Sequence, residues 1–234
     1  MKKIGIIIFI VALAAGVVLS KVFSLGSYSI KSPISLSFDS KIHGSGDIQT
    51  EKRSLTGFKR LDISGVFDVE VVAQKDFNVE VEADDNLFEY ILTEVDGDTL
   101  EISTRKRFST KNTIKIRISA PNIEAIENSG VSRVTISNLD NDSLKIDSTG
   151  ASQVIAYGET TYLEIDLSGA STVNAKGLTA PNVAVEASGA SSAKINVLKK
   201  LEVSLSGASS VKYKGKPESI DKRTSGASSI SEIE

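Results

Sequence analysis

Leu163-Glu164-Ile165-Asp166-Leu167-Ser168-Gly169-Ala170-Ser171-Thr172-Val173 is one unit of a repeat, and the period of that repeat decides the fold. Its centre returns as Ser129-Gly130-Val131-Ser132, Thr149-Gly150-Ala151-Ser152, Ser188-Gly189-Ala190-Ser191, Ser206-Gly207-Ala208-Ser209 and Ser225-Gly226-Ala227-Ser228. From Gly130 to Gly226 the glycine recurs at a nearly constant interval, slightly longer or shorter from one unit to the next. A sustained period of about 19 residues marks a solenoid.

Columns aligned on the glycine show what each turn buries. Six positions before it stand Leu144, Leu163, Val183, Leu201 and Ile220; four before stand Ile126, Ile146, Ile165, Val185 and Val203. Four after stand Val134, Val154, Val173, Ala193, Val211 and Ile230, and charged residues such as Glu164, Asp166 and Lys194 alternate with these columns. Period-two alternation is a strand with one buried face. No intervening segment has helical periodicity, so each turn is strand and bend, stacked in parallel at about 4.8 Å. The sequence therefore predicts an all-β chain whose residues 121–234 form a parallel β-helix of about 19-residue turns, in single file.

The small residues suit a tight corner. Gly130, Gly150, Gly169, Gly189, Gly207 and Gly226, with Ser152, Ser171, Ser191, Ser209 and Ser228, read as a corner ladder in which each hydroxyl bonds its neighbour or a corner amide. A nucleophilic serine needs a histidine and an acid beside it. The only histidine is His43, far upstream in a Gly-Ser segment, where it reads as an exposed side chain rather than a metal ligand.

The 234 residues include no cysteine, no tryptophan and one methionine, with a net charge of −3. No disulfide framework or thiolate metal site is available, and the mild acidity argues against nucleic acid. Lys2 and Lys3 precede an uncharged run from Ile4 to Ser20, and apolar residues resume after Lys21 as far as Leu25. Residues 1–25 fit two readings. One is a signal peptide with small residues at Ala12-Leu13-Ala14-Ala15; the other is an uncleaved membrane-spanning anchor in which Lys21 snorkels. Either way the paired lysines stay cytoplasmic and the rest is exported, facing the periplasm or the outside, or secreted after cleavage. Losing Lys2, Lys3 and Lys21 takes the exported part from −3 to −6. Residues 26–44 read as a linker.

Residues 45–120 alternate as strands but less regularly. Asp96-Gly97-Asp98 signals a turn, and Asp84-Asp85-Asn86 before Leu87 reads as the cap of a short helix. This segment is expected to cap the solenoid or form its first turns, leaving the C-terminal edge as the open one. Here the chain resembles a known family. Gly44-Ser45-Gly46, then the run Phe58-Lys59-Arg60-Leu61-Asp62-Ile63-Ser64-Gly65-Val66-Phe67-Asp68-Val69, then Asp85-Asn86-Leu87, Leu100-Glu101-Ile102 and the Ser-Gly-Ala-Ser turns follow in the order of the bacterial "putative auto-transporter adhesin, head GIN domain" family (DUF2807). The resemblance covers about residues 45–230. It implies a right-handed parallel β-helix and a place on the cell envelope or surface. It brings no catalytic or ligand motif.

Function on such a rod belongs to its outward columns. Asp147, Asp166 and Glu186 form an acidic one, and Lys176, Lys194, Lys212 and Lys214 a basic one. Stacked carboxylates invite Ca²⁺, yet one flat face rarely supplies six to eight oxygens, and no calcium repeat is present. A solvated face is the simpler reading, and no metal or cofactor is expected. Glycoside hydrolysis wants paired carboxylates across an aromatic-lined cleft, and the repeat has only Tyr157, Tyr162 and Tyr213. The expectation is thus a non-enzymatic envelope protein that adheres to a glycan or other polymer. The alternatives are a scaffold or signalling ectodomain that binds an envelope protein and, third, a polysaccharide-active enzyme.

Overall fold

The computed structural model describes residues 42–233. The anchor or signal segment expected at 1–25, and the stretch from there to Lys41, lie outside the described residues. Among the described residues no helix is long and apolar enough to cross a membrane.

The described residues are all-β and form a β-solenoid, about five turns of which run between Gly130 and Gly226. The strands Arg133–Ser148, Gln153–Leu167, Thr172–Ala187 and Ser192–Leu205 each leave one Ser-Gly corner, fold round a second bend and reach the next corner. Neighbours pair in parallel, Val134 opposite Val154 opposite Val173, and Ile146 opposite Ile165 opposite Val185 opposite Val203. The predicted inward columns are the core: Leu144, Leu163, Ile146, Ile165, Val154 and Val173 are completely buried. Burying a branched side chain stabilises by about 1.5–3 kcal/mol, and here each one stacks on its equivalents in the turns above and below.

The two corners of a turn behave differently. The Ser-Gly corner keeps register throughout, whereas every register shift falls at the second bend, between Ile136 and Leu139, Ile155 and Tyr157, and Ala175 and Asn182. That bend absorbs the turn-to-turn variation in glycine spacing. Residues with positive φ, Asn138 and Gly158 among them, make the turn there.

The solenoid begins earlier than the six glycines suggest. Arg60–Gly65 and Asp68–Ala73 form a further turn beneath Gly130, with Ser64 opposite Ser129 and Gly65 opposite Gly130. Thr99–Thr104 and Lys115–Ala120 lie beneath that one, with a longer connection, residues 105–114, in place of the corner. Spatial order therefore departs from chain order: the turn made from 60–73 is held between one made from 99–120 and one made from 125–137. Three antiparallel strands close this end, Ile91–Asp96 on one face and Asn78–Asp84 followed by Ile48–Arg53 on the other. Phe58 and Leu87 fill the core of this end, with Phe58 edge-on to Phe77 at 5.0 Å.

The short helix is 3₁₀, Asp85–Tyr90, and Asp84 makes no capping hydrogen bond to it. Its buried carboxylate is instead taken by Thr110 Oγ1 and Asn112 Nδ2. At the other end Ser219–Thr224 is exposed along its whole length. In this last turn Lys222 takes the register of Val203 and Glu232 that of Tyr213, so charges stand where earlier turns place apolar groups. The Lys222 ammonium lies 5.6 Å from the centre of the Tyr213 ring.

Candidate functional site

Each Ser-Gly corner is built by its glycine. Gly169 has φ +73°, and a Cβ on it would lie 2.6 Å from the Gly150 carbonyl oxygen; the same contact recurs at each stacked glycine. The close approach lets the next amide donate to that carbonyl: Val131 N to Gly65 O at 2.9 Å, Ala151 N to Gly130 O at 2.9 Å, and Ala170, Ala190, Ala208 and Ala227 N to Gly150, Gly169, Gly189 and Gly207 O at 2.8 Å.

The serine hydroxyls close the corners from inside. Ser171, Ser191 and Ser209 each donate to the carbonyl three positions back, Ser168, Ser188 and Ser206, at 2.8 Å. Ser152 and Ser228 do likewise to Thr149 and Ser225, at 3.0 and 2.9 Å. Intra-corner bonding to a carbonyl is the dominant pattern, where the sequence suggested a neighbouring hydroxyl or a corner amide. Of these five hydroxyls only those of Ser152 and Ser171 meet between turns, at 3.4 Å. Ser152, Ser171, Ser191 and Ser209 are buried. His43 is remote from them in the pairing order, its Nδ1 at 2.9 Å from Ser109 Oγ.

The acidic column extends well past Asp147, Asp166 and Glu186. In register across adjacent strands stand Glu94, Glu101, Asp62, Glu127, Asp147, Asp166 and Glu186. The sequence signal for this is an acid three positions before the glycine, present from Gly65 to Gly189 and replaced by Ser204 and Arg223 in the last two turns. Glu127 is visible from Gly130 itself, and Asp62 once Gly65 is recognised as a corner. Like charges about 4.8 Å apart repel, and the groups show it. Burial first, and then Glu127, raise the Asp62 carboxyl above the ordinary range. Burial, Asp166 and Glu127 raise that of Asp147 against the pull of Lys145.

Flanking cations relieve part of the repulsion. Lys145 reaches Glu164 at 2.6 Å and Asp166 at 3.0 Å, and Arg60 reaches Glu127 at 3.2 Å. The two carboxylates hold the Lys145 ammonium well above its usual range. Asp147, Asp166 and Glu186, with Ser168, Ser188 and Ser204, line an open groove of about 420 Å³ along the Ser-Gly corner. Among the described residues no three carboxylates or histidines converge to hold a metal ion. The stripe is a line of acceptors rather than a closed cage.

The four lysines do not form one column. Lys194 and Lys212 are direct neighbours, while Lys214 stands opposite Asn196 and Lys176 falls in the irregular bend after Ala175. The residues of the family-like blocks, by contrast, meet in space. Ser45 N donates to Asn86 Oδ1 at 2.9 Å, and Asn86 Nδ2 donates to the His43 carbonyl at 2.8 Å. Gly44 lies so close to the Asp84 carboxylate that a Cβ there would overlap it. Ile42–His43, inside the stretch expected as linker, pairs with Phe108–Ser109.

This architecture is shared with solved structures. A "putative adhesin" from Bacteroides fragilis superposes with a TM-score of 0.70 at 22% identity, over 82% of this chain and 100% of that one. A "putative adhesin" from Parabacteroides distasonis gives 0.56 at 19% identity, over 82% and 100%. A "putative lipid binding protein" from the same species gives 0.52 at 20%, over 83% and 100%. At such identities the likeness is one of fold. No protein of curated function matches the chain. Residues 57–217, from the turn of Gly65 to the last regular turns, match the family described as "Putative auto-transporter adhesin, head GIN domain", and the chain belongs to that family.

Proposed function

We propose that the protein is an exported, non-catalytic adhesin-like module of the cell envelope, tethered by residues 1–25, that holds a surface polymer along its outward columns. The observation that carries the reading is the division of labour within each turn. The corner serines spend their hydroxyls on the corner's own carbonyls, while the charged residues form long in-register stripes on the outside. Linear stripes suit a repeating chain that can be contacted many times, each contact weak. Membership of the adhesin-like family supports the same reading.

The test is retention of the full chain on immobilised envelope polysaccharides across a salt titration. Binding that weakens as salt rises is expected; silence on every polymer at low salt overturns adhesion. Turnover of any polysaccharide, abolished by one carboxylate substitution, overturns the non-catalytic part. A second reading, docking of an envelope protein, has one observation in its favour: Ser219–Thr224 is an exposed edge strand, open to strand addition.

A further inference from the structure

The densest run of positive charge, Arg105-Lys106-Arg107 with Lys111, lies in the 105–114 connection that replaces a corner at the closed end of the solenoid. This connection borders a cleft of about 920 Å³. Lys106, Arg107, Lys111 and Arg133 line it, against one carboxylate, Asp68. Among the described residues the ion pairs engage other cations, and none engages these four.

Beside these cations stand Val66 and Val131, 68% and 58% exposed. They occupy the corner position that in every later turn is alanine: Ala151, Ala170, Ala190, Ala208 and Ala227. Bulky apolar side chains are thus confined to the two corners next to the basic connection. That connection is also held in place, because the buried Asp84 carboxylate accepts from Thr110 and Asn112. The chain enters the fold at the same point, Ile42 pairing with Phe108. Residues 26–41 span at most about 55 Å even fully extended, so an anchor at 1–25 would limit how far the fold can move from the bilayer.

We infer that the cleft bounded by residues 105–114, Val66 and Val131 docks on the anionic phospholipid surface of the membrane to which the chain is tethered. Ammonium and guanidinium groups meet the phosphates while the two valines enter the headgroup layer. This inference rests on the anchored reading of residues 1–25.

The chain has no cysteine, so Val131→Cys gives a single site for an environment-sensitive dye, and Ala208→Cys gives a control at a distant corner. Full chain is reconstituted in vesicles of phosphatidylcholine, with and without phosphatidylglycerol. The label at 131 is expected to be shielded from an aqueous quencher only with phosphatidylglycerol, and exposed again at high salt; the label at 208 stays exposed throughout. Arg107→Glu with Lys111→Glu restores exposure at 131, each neutralised cation weakening the contact about fivefold. Arg107→Gln with Lys111→Gln repeats the test in milder form, with an unchanged melting curve as the folding control. Equal exposure in both lipids, or shielding that survives the charge changes, overturns the proposal. Shielding by a soluble polyanion in pure phosphatidylcholine overturns it in favour of a polymer ligand. Retention on phosphatidylcholine vesicles at high salt reports the anchor separately.

Discussion

At the scale of single residues, glycines with positive φ divide by what surrounds them. Gly46 and Gly169 both have it, but a Cβ at Gly46 meets nothing within 4 Å whereas one at Gly169 meets a carbonyl oxygen at 2.6 Å. Gly46→Ala should cost only the left-handed backbone term, about 1–2 kcal/mol. Gly169→Ala adds a collision with backbone that cannot swing aside, and should cost at least about 3 kcal/mol. Denaturant midpoints of the two variants check this; equal losses would show that the stacked corners can spread. The corner glycines were legible in the sequence because they recur. Gly65 was not, because the next glycine of the ladder, Gly130, lies several periods further along the chain. Asp62 was missed for the same reason; Glu127 was legible from Gly130, three positions on.

Charge on the acidic stripe gives a second residue-level outcome. Carboxyls raised in the folded state bind protons more tightly there than in the unfolded chain. Asp62 and Asp147 therefore make stability fall as pH rises from the ordinary carboxylate range through their raised values. Asp147→Asn should stabilise at neutral pH by roughly 0.5 kcal/mol, with the gain vanishing in acid, where Asp147 is protonated. Urea titrations at both pH values read the sign directly. Glu82 acts in the opposite sense, because hydrogen bonds from Lys115 and Arg117 lower its pKa and its contribution is lost as pH falls.

At the scale of the strand, alternation settles which face is inside. Ile165 is fully buried and stacked between Ile146 and Val185, whereas Glu164 lies on the outer face beside Lys145. Ile165→Asp should prevent cooperative folding, because an unpaired carboxylate replaces a core methyl cluster. Glu164→Lys should change stability by less than about 1 kcal/mol, the ordinary value of an exposed ion pair. Thermal melts distinguish the two, and comparable losses would invert the faces. The strands of the repeat were readable because period two persists along most of each turn. The order of the cap strands was not, because register between distant segments leaves no local periodicity. The lysines fail as a column for a simpler reason: Lys194 and Lys212 lie five positions after their glycines but Lys176 and Lys214 lie seven after theirs, so the four never share one register position.

At the scale of the whole molecule, the two ends of the stack are protected by different means. One is covered by antiparallel strands; the other places Lys222 and Glu232 in core columns of its last turn. Inward charges of this kind deter edge-to-edge stacking. Lys222→Val with Glu232→Val should leave the fold intact and produce concentration-dependent end-to-end association, seen as a rise in mass by light scattering. A variant that remains monomeric would mean that the strand edges are blunted by something other than these two side chains. The ends also differ in how they form. Joining Gly65 to Gly130 closes a segment more than three times as long as any later turn, which adds about 1 kcal/mol of closure entropy. The closed end is therefore the costlier one to form, whereas each later turn closes a short local segment.

The slack at the second bend has a genetic corollary. Because the Ser-Gly corner keeps its register while the opposite bend accepts turns of slightly different length, an in-frame duplication of one unit need not begin or end at a particular residue. Each duplication lengthens the molecule by about 4.8 Å and leaves both its base and its charged tip untouched. Length in this architecture is therefore a quantity that recombination can adjust in single steps.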